Sequence, residues 1–327
     1  MRSPLRHVLV PLDGSPLSEQ ALPVAAALAR AAGAALHLTS VRPPVSPVAG
    51  LLGGVGNGPT AEHALHEGMR AYLEEQAESL GATGPATITC AVLDGPAARA
   101  VAAYARTHEV DLVVMTTHGW GGPKRLWLGS VADELLRRVR SPVLLLRRDR
   151  IRQAVAYHRV LVALDGNPGC EAVMESAIAI AELFPGAHYT LVQVVEPLPP
   201  AMLRMLGSSV RTGPALVEHH RAEVSGRLEE LGRGLRRRGF AAGVRALVGP
   251  GTADQILDYS RHSGSDLLVI GTRAPHEVER LVLGSVADKI VRGASQPVLV
   301  VPLEPTTSDT LEPRHPMAAL SRSGRAS

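Results

Sequence analysis

The chain repeats itself. His7-Val-Leu-Val-Pro-Leu-Asp-Gly-Ser15 returns as Arg159-Val-Leu-Val-Ala-Leu-Asp-Gly-Asn167, and Arg125-Leu-Trp-Leu-Gly-Ser-Val-Ala-Asp133 returns as Arg280-Leu-Val-Leu-Gly-Ser-Val-Ala-Asp288. Ser141-Pro-Val-Leu-Leu-Leu146 returns as Gln296-Pro-Val-Leu-Val-Val301. Three matching segments in one order define two copies of a domain, and a period near 150 residues is too long for a solenoid repeat. The offset between copies is 152 at Asp13 and Asp165 and 155 at Gly129 and Gly284. Copy two therefore carries a net three extra residues, which belong in loops.

Within each copy the pattern alternates between strands and helices. Val8–Val10 is a short apolar run suited to a strand buried on both faces. Ser15 can cap a following helix and Pro16 suits its first turn. Ala21–Ala32 forms the helix body, Gly33 ends it, and Pro23 stands inside it as a candidate kink. A strand over Ala35–Val41 follows, then the Pro- and Gly-rich stretch Pro43–Thr60, expected to be a mobile loop. A helix over Ala61–Leu80, a strand over Thr87–Leu93, a helix from Gly95-Pro96 to about His108 and a strand over Asp111–Met115 come next. A loop over Gly119–Gly129, a helix over Ser130–Val139 and a strand over Val143–Leu146 complete the copy, and Val160–Val301 repeats this order.

Such alternation predicts an α/β fold: two tandem doubly wound domains, each a five-stranded parallel sheet flanked by about four helices. The expected boundaries are 1–148 and 156–303, with a polar tail over 304–327 expected to be disordered.

Composition narrows the class. Aromatic residues make up only 3% against 45% hydrophobic, so the cores are aliphatic. The formal charge of +3 resides in Arg clusters without interleaved aromatics, which favours solvated faces over nucleic-acid binding. Cys90 and Cys170 occupy unmatched positions and fit free thiols in a reducing compartment. With no signal peptide and no apolar run long enough to span a bilayer, a soluble cytoplasmic protein is expected, with no membrane partner.

Ligands of open parallel sheets bind beyond the strands' carboxyl ends, where strand order reverses. In copy one, Asp13 follows the first strand, Thr116-Thr-His-Gly119 follows the fourth, and Gly129-Ser130 opens the last helix. Gly119 permits a positive φ, and Gly129 lets the chain pass close to a phosphate. The amides of Ser130 and Val131 sit at a helix N-terminus that favours an anion. Asp13 can bond a ribose hydroxyl or help hold a metal on a phosphate. Each signal alone is most often a cap or a turn; together, and repeated, they point to a nucleotide.

These segments resemble the universal stress protein family over nearly the whole chain, twice. The resemblance implies an adenine nucleotide alpha hydrolase-like fold. It also implies the phosphate pattern of the family's ATP-binding branch: Gly, two residues, Gly, nine residues, then Gly followed by Ser or Thr. Copy one keeps the spacing with Thr116 in place of the first Gly, then His118, Gly119, Gly129 and Ser130. Copy two has Gly271, Arg273, Ala274, Gly284, Ser285 and Val286, so the second Gly is lost. Ala274 there costs about 1 kcal/mol or more if positive φ is needed, which ranks site one above site two, although Arg273 can pair with phosphate.

The resemblance further implies backbone contacts to the adenine near Pro11 and Val41, with Ala163 and Val194 as counterparts; Leu12 and Met115 belong to the same implied nucleotide site, and Asp165 matches Asp13. The implied ligand is ATP, or ADP or AMP, optionally with Mg, in a sensor or regulator of the stress response. No catalytic motif is present, His118 has Arg273 as its counterpart, and an enzyme is not expected. A nucleotide-free interaction or chaperone-like protein and a weak ATPase are the alternatives. The paired His63 and His66 read as a solvated helix face. The apolar last strands could pair within the chain as a pseudo-dimer, which could itself form a homodimer.

Overall fold

The computed structural model describes residues 5–42, 59–117, 128–147, 157–167, 169–183, 186–197, 213–273 and 284–303. Copy one contains β1 (His7–Leu12), α1 (Ala21–Ala32), β2 (Ala35–Arg42), α2 (Pro59–Leu80), β3 (Ile88–Asp94), α3 (Ala97–Thr107), β4 (Leu112–Thr116), α4 (Ser130–Leu136) and β5 (Val143–Leu146). Copy two contains β6 (Arg159–Ala163), α5 (Cys170–Ala181), β7 (His188–Val195), α6 (Gly213–Arg237), β8 (Ala241–Val248), α7 (Thr252–Ser263), β9 (Leu267–Arg273), α8 (Ser285–Gly293) and β10 (Val298–Leu303).

The strands form one ten-stranded sheet in the order β3-β2-β1-β4-β5-β10-β9-β6-β7-β8. Each half is the doubly wound sheet expected from the alternation. The halves meet where β5 and β10 pair antiparallel, Val143 with Val300, Leu144 with Leu299 and Leu145 with Val298. Since Leu144 and Leu299 are equivalent in the two copies, this register is that of a two-fold axis through their pairing. Four of four residues in β5 are buried, so an apolar run that would be an aggregation-prone edge in one copy becomes the centre of the joined sheet. The strand pairing within one chain is the pseudo-dimer that the apolar last strands suggested.

Register also locates the three extra residues of copy two. Ala35 opposite His7 matches His188 opposite Arg159, an offset of 153. Leu36 with Ile88 matches Tyr189 with Ala242, an offset of 154 for the third strand. Leu112 beside Val8 matches Leu267 beside Val160, an offset of 155. One residue is gained in each of three successive crossovers, and no strand is lengthened out of register.

The core has two layers, one on each sheet face. Leu22, Val24 and Leu28 of α1 with Leu73 of α2 cover one face, joined by Val173 of α5 and Leu228 of α6. Val101 of α3 and Leu135 of α4 cover the other with Ile256 of α7 and Ile290 of α8. β1 and β4 contribute to both layers, as their continuous apolar runs require.

Local chemistry explains most element ends and corrects some expectations. Gly33 ends α1 with φ 68°, donating back to Ala29 and Arg30 carbonyls in a left-handed cap. Before α1 the chain forms a short 3-10 turn over Ser18–Gln20 instead of entering the α-helix at Pro16. Ser15 caps that turn, its Oγ accepting from the Ser18 amide at 3.1 Å. Pro23 is the third residue of α1, within the first turn, where backbone amides have no intrahelical acceptor; it introduces no break in the helix. Pro59 and Thr60, assigned above to the loop, open α2 instead, and residues 43–58 lie outside the described residues. α4 stops at Leu136, earlier than the expected Val139, because the chain turns there to reach β5. The tail 304–327 also lies outside the described residues.

Candidate functional site

The strand order reverses on either side of β1 in copy one and of β6 in copy two, so each copy has its crevice between that strand and β4 or β9. In copy two a cavity of about 360 Å³ lies there. Ala163 and Asp165 enter it from the end of β6, Gly271 from β9, and Gly284, Ser285 and Val286 from the start of α8. Six residues singled out by sequence thus converge on one space, within the range of small-molecule pockets. Val194, from the end of β7, does not line it. Arg273 ends β9, and only its backbone belongs to the description.

The apolar contributors missed by sequence reading include Ile256 of α7, Ile270 of β9, Ile290 of α8 and Leu303 at the end of β10. Nothing in their local pattern separates them from core residues. Only the position of Leu303, last in the last strand, could have hinted at the sheet's carboxyl edge.

The start of α8 has a defined geometry. Gly284 is its N-cap, with φ −50° and ψ 143°, and no side chain caps the helix. That backbone conformation is open to any residue, and a Cβ on Gly284 would meet nothing within 4 Å. Neither strain nor protein packing requires glycine, while Ser, Thr, Asp or Asn would cap better. What glycine provides is clearance beside uncapped helix amides. Gly129 repeats this at the start of α4, with φ −59° and ψ 146° and again no side-chain cap. Each first turn also holds an acidic residue tied to an arginine four residues on: Asp133 with Arg137, and both oxygens of Asp288 with Arg292 Nε at 2.9 Å. The arginines neutralise carboxylates that would otherwise repel an anion at the helix end.

Gly271 answers a different demand. A Cβ there would lie 2.9 Å from Val173 Cγ2 and 2.8 Å from Leu303 Cδ1. Copy one carries Thr116 at this position and Ala21 at the position of Val173. Thr116 is buried, at 7% exposure, and Ala21 is fully buried. The first glycine of the pattern is exchanged for bulk in copy one, where the facing helix supplies a smaller residue. The two copies thus differ in opposite senses at these two positions, larger on β4 and smaller on α1 in copy one.

Asp13 and Asp165 organise the turns after β1 and β6. Asp13 Oδ1 accepts from the Ser15 amide at 3.0 Å and from Ser15 Oγ at 2.5 Å. Partial burial raises the Asp13 carboxyl, but hydrogen bonds from Ser15 and Ser18 outweigh it and hold the group below its ordinary value. Asp165 accepts from the Asn167 amide at 3.0 Å and from Asn167 Nδ2 at 2.9 Å. Both aspartates therefore hold the turn at the carboxyl edge of their sheet and present carboxylate oxygens there.

In copy one, Pro11 and Leu12 end β1, Val41 lies near the end of β2, and Met115 and Thr116 end β4. Gly129 is drawn to the end of β4 through its amide, which donates to Thr117 O at 2.7 Å and brings Ser130 and Val131 to the same edge. His118 and Gly119 lie outside the described residues, as does Ala274 in copy two.

Comparison with known proteins agrees with this geometry. A universal stress protein of Thermus aquaticus is 32% identical over 142 residues, covering 43% of this chain and 98% of that protein. A universal stress protein of Methanocaldococcus jannaschii is 29% identical over 147 residues, covering 44% of this chain and 84% of its own length. The crystal structure of a universal stress protein from Archaeoglobus fulgidus DSM 4304 superposes with a TM-score of 0.67 at 18% identity, over 90% of this chain and 98% of that one; it shows the shared fold. The family model "Universal stress protein family" matches residues 4–147 and again 156–302. With both copies matched over almost their whole length, the chain belongs to the universal stress protein family, as a tandem member.

Proposed function

We propose that this chain binds ATP or a related adenine nucleotide, ADP or AMP, and serves the stress response as a nucleotide-dependent sensor or regulator. The observation that carries the reading is the cavity at the carboxyl edge of β6 and β9. It joins Asp165, an apolar wall and an uncapped helix start whose Gly284 is required neither by its backbone angles nor by packing among the described residues. The apolar wall of Ala163, Ile256 and Ile270 suits a base, Asp165 suits a ribose hydroxyl, and the amides of Ser285 and Val286 suit a phosphate. A magnesium ion would sit on the phosphates beside Asp165 and add charge neutralisation. The equivalent residues of copy one, Pro11, Asp13, Met115, Gly129, Ser130 and Val131, would form a second site of the same kind.

The role proposed is binding and not turnover: Asp165, the amides of Ser285 and Val286 and the apolar wall are suited to hold a ligand. Calorimetric titration of the full chain with ATP, ADP and AMP tests this. Binding by the unmodified chain, lost from one class of site in Gly284→Arg and from the other in Gly129→Arg, is expected. A flat titration with all three nucleotides would sink the proposal.

A further inference from the structure

A second cavity, of about 430 Å³, lies beside the first in copy two, on the other side of a wall shared by Leu164 and Cys170. It opens between the turn after β6 and the face of α6. Leu164, Leu228 and Leu231 form an apolar floor, while Gly166, Gln193 and Arg227 supply its polar side. Arg227 Nη2 donates to Gln193 Oε1 at 3.2 Å, and Nη1 donates to Gly166 O at 3.4 Å. The guanidinium is thereby held in place against the turn. These two bonds, both long, leave most of its five N–H donors available.

The arrangement is specific to copy two. Buried Leu228 and Leu235 of α6 correspond to Leu73 and Leu80 of α2, which sets Arg227 opposite Tyr72. Gln193 corresponds in register to Ser40. In copy one the Tyr72 hydroxyl is tied to Glu19 Oε1 at 3.0 Å. A neutral, satisfied phenol in one copy is thus replaced by a cation over an open apolar cavity in the other. Gly166 makes room for it: with φ +74° its missing Cβ would stand 2.7 Å from Gln193 Nε2 and 2.8 Å from Arg227 Nη2.

We propose that this cavity is a binding site for a small aliphatic carboxylate, separate from the nucleotide crevice. Arg227 reads the carboxylate with its paired donors and Leu164, Leu228 and Leu231 hold the hydrocarbon. Glu230 also lines the cavity, one helical turn from Arg227. It decides between two sources of the same chemistry. A plain fatty acid gains nothing from Glu230, whereas an aliphatic α-amino acid places its ammonium there.

The test is titration of the full chain with octanoate, with leucine and with octanol, followed by calorimetry and ligand-observed NMR. Octanoate or leucine is expected to bind with a dissociation constant of about 1 mM or tighter, and octanol at least about tenfold more weakly. Arg227→Gln, at an exposed position where folding is kept and checked by circular dichroism, should weaken the bound ligand about tenfold or more. Gln193→Glu should also weaken it, since the new carboxylate occupies Arg227 itself. Gly284→Arg should leave it unchanged, which separates this site from the nucleotide crevice. Preference for leucine that vanishes in Glu230→Gln identifies the amino acid; preference for octanoate identifies the fatty acid. Failure of both to bind, equal binding of octanol, or indifference to Arg227→Gln would overturn the proposal.

Discussion

Arg147 Nε donates a 2.8 Å hydrogen bond to the carbonyl oxygen of Ala294, across the joint between the two copies. Its Nη2 also donates to the carbonyl of Arg292. A cation is thus set on the C-terminal carbonyls of α8, where the helix dipole favours it. The same helix starts at the crevice of copy two, at the far end of its nine residues. The contact runs one way only, because the residue equivalent to Arg147 is Pro302, which has no side-chain donor.

Replacing Arg147 by Met keeps the aliphatic stem and removes the donors. Two carbonyls at a helix end lose a charged partner, so a loss of about 1–3 kcal/mol in unfolding free energy is expected. Urea denaturation of the full chain measures it. An unchanged midpoint would mean that water replaces the guanidinium without cost.

Gly271 and Val173 should behave as a coupled pair. Gly271→Ala puts a Cβ 2.9 Å from Val173 Cγ2, an overpacking expected to cost about 1–3 kcal/mol. Val173→Ala opens that space, as Ala21 does in copy one. The double variant should therefore be more stable than the sum of the single losses by about 0.5 kcal/mol or more. A double-mutant cycle of denaturation energies decides it, and strict additivity would show that Leu303 alone sets the clash.

The Ser15 hydroxyl makes two bonds in the turn after β1. Its Oγ donates to Asp13 Oδ1 and accepts from the Ser18 amide. Ser15→Ala should cost about 1 kcal/mol, as for loss of a helix cap. The Asp13 carboxyl should also move back up toward its ordinary value, which carbon-detected NMR titration follows. Since its folded value is lowered from 3.8, its contribution to stability is complete above that pH and is lost as pH falls below it. The variant should lose stability less steeply in acid.

His37 is 5% exposed, with Nε2 at 3.1 Å from His7 Nδ1 and Nδ1 at 3.0 Å from the Tyr104 hydroxyl. Burial, reinforced by His7 and His108, lowers it from 6.5 to about 4. The folded state therefore prefers the neutral ring, so the stability this confers is complete above about 6.5 and drains away as pH falls toward about 4. At most about 2–3 kcal/mol is at stake. Denaturant melts across that window should show the decline in the natural chain and a shallower one in His37→Gln. Parallel pH profiles for the two would place the titration elsewhere.

Much of this protein was legible in the order of its residues because the relevant physics is local. Apolar runs such as Val143–Leu146 mark buried strands, Gly33 marks a helix end, and the repeat of Asp13 at Asp165 and Gly129 at Gly284 marks two equivalent crevices. The spacing placed Asp165, Gly271, Gly284 and Ser285 together, and they do line one cavity. The details of turns were harder. Proline tolerance at the third residue of α1 and the 3-10 entry before it depend on where hydrogen bonding starts, not on which residues occur.

Sequence alone determined that there are two copies, that each is doubly wound, and that Asp165, Gly271 and Gly284 fall together at the carboxyl edge of copy two. Tertiary structure decided that the copies share one sheet through Leu144 and Leu299, and that a side chain at Gly271 would meet Val173 and Leu303. It also decided that Arg147 reaches Ala294 and that Arg227 overhangs an open cavity, whereas the equivalent Tyr72 is tied to Glu19. The difference is one of range. Strand and helix signals are carried by residues a few positions apart, whereas a cavity or a joint exists only where surfaces from distant segments meet, and their fit depends on volumes and donors that no single segment contains.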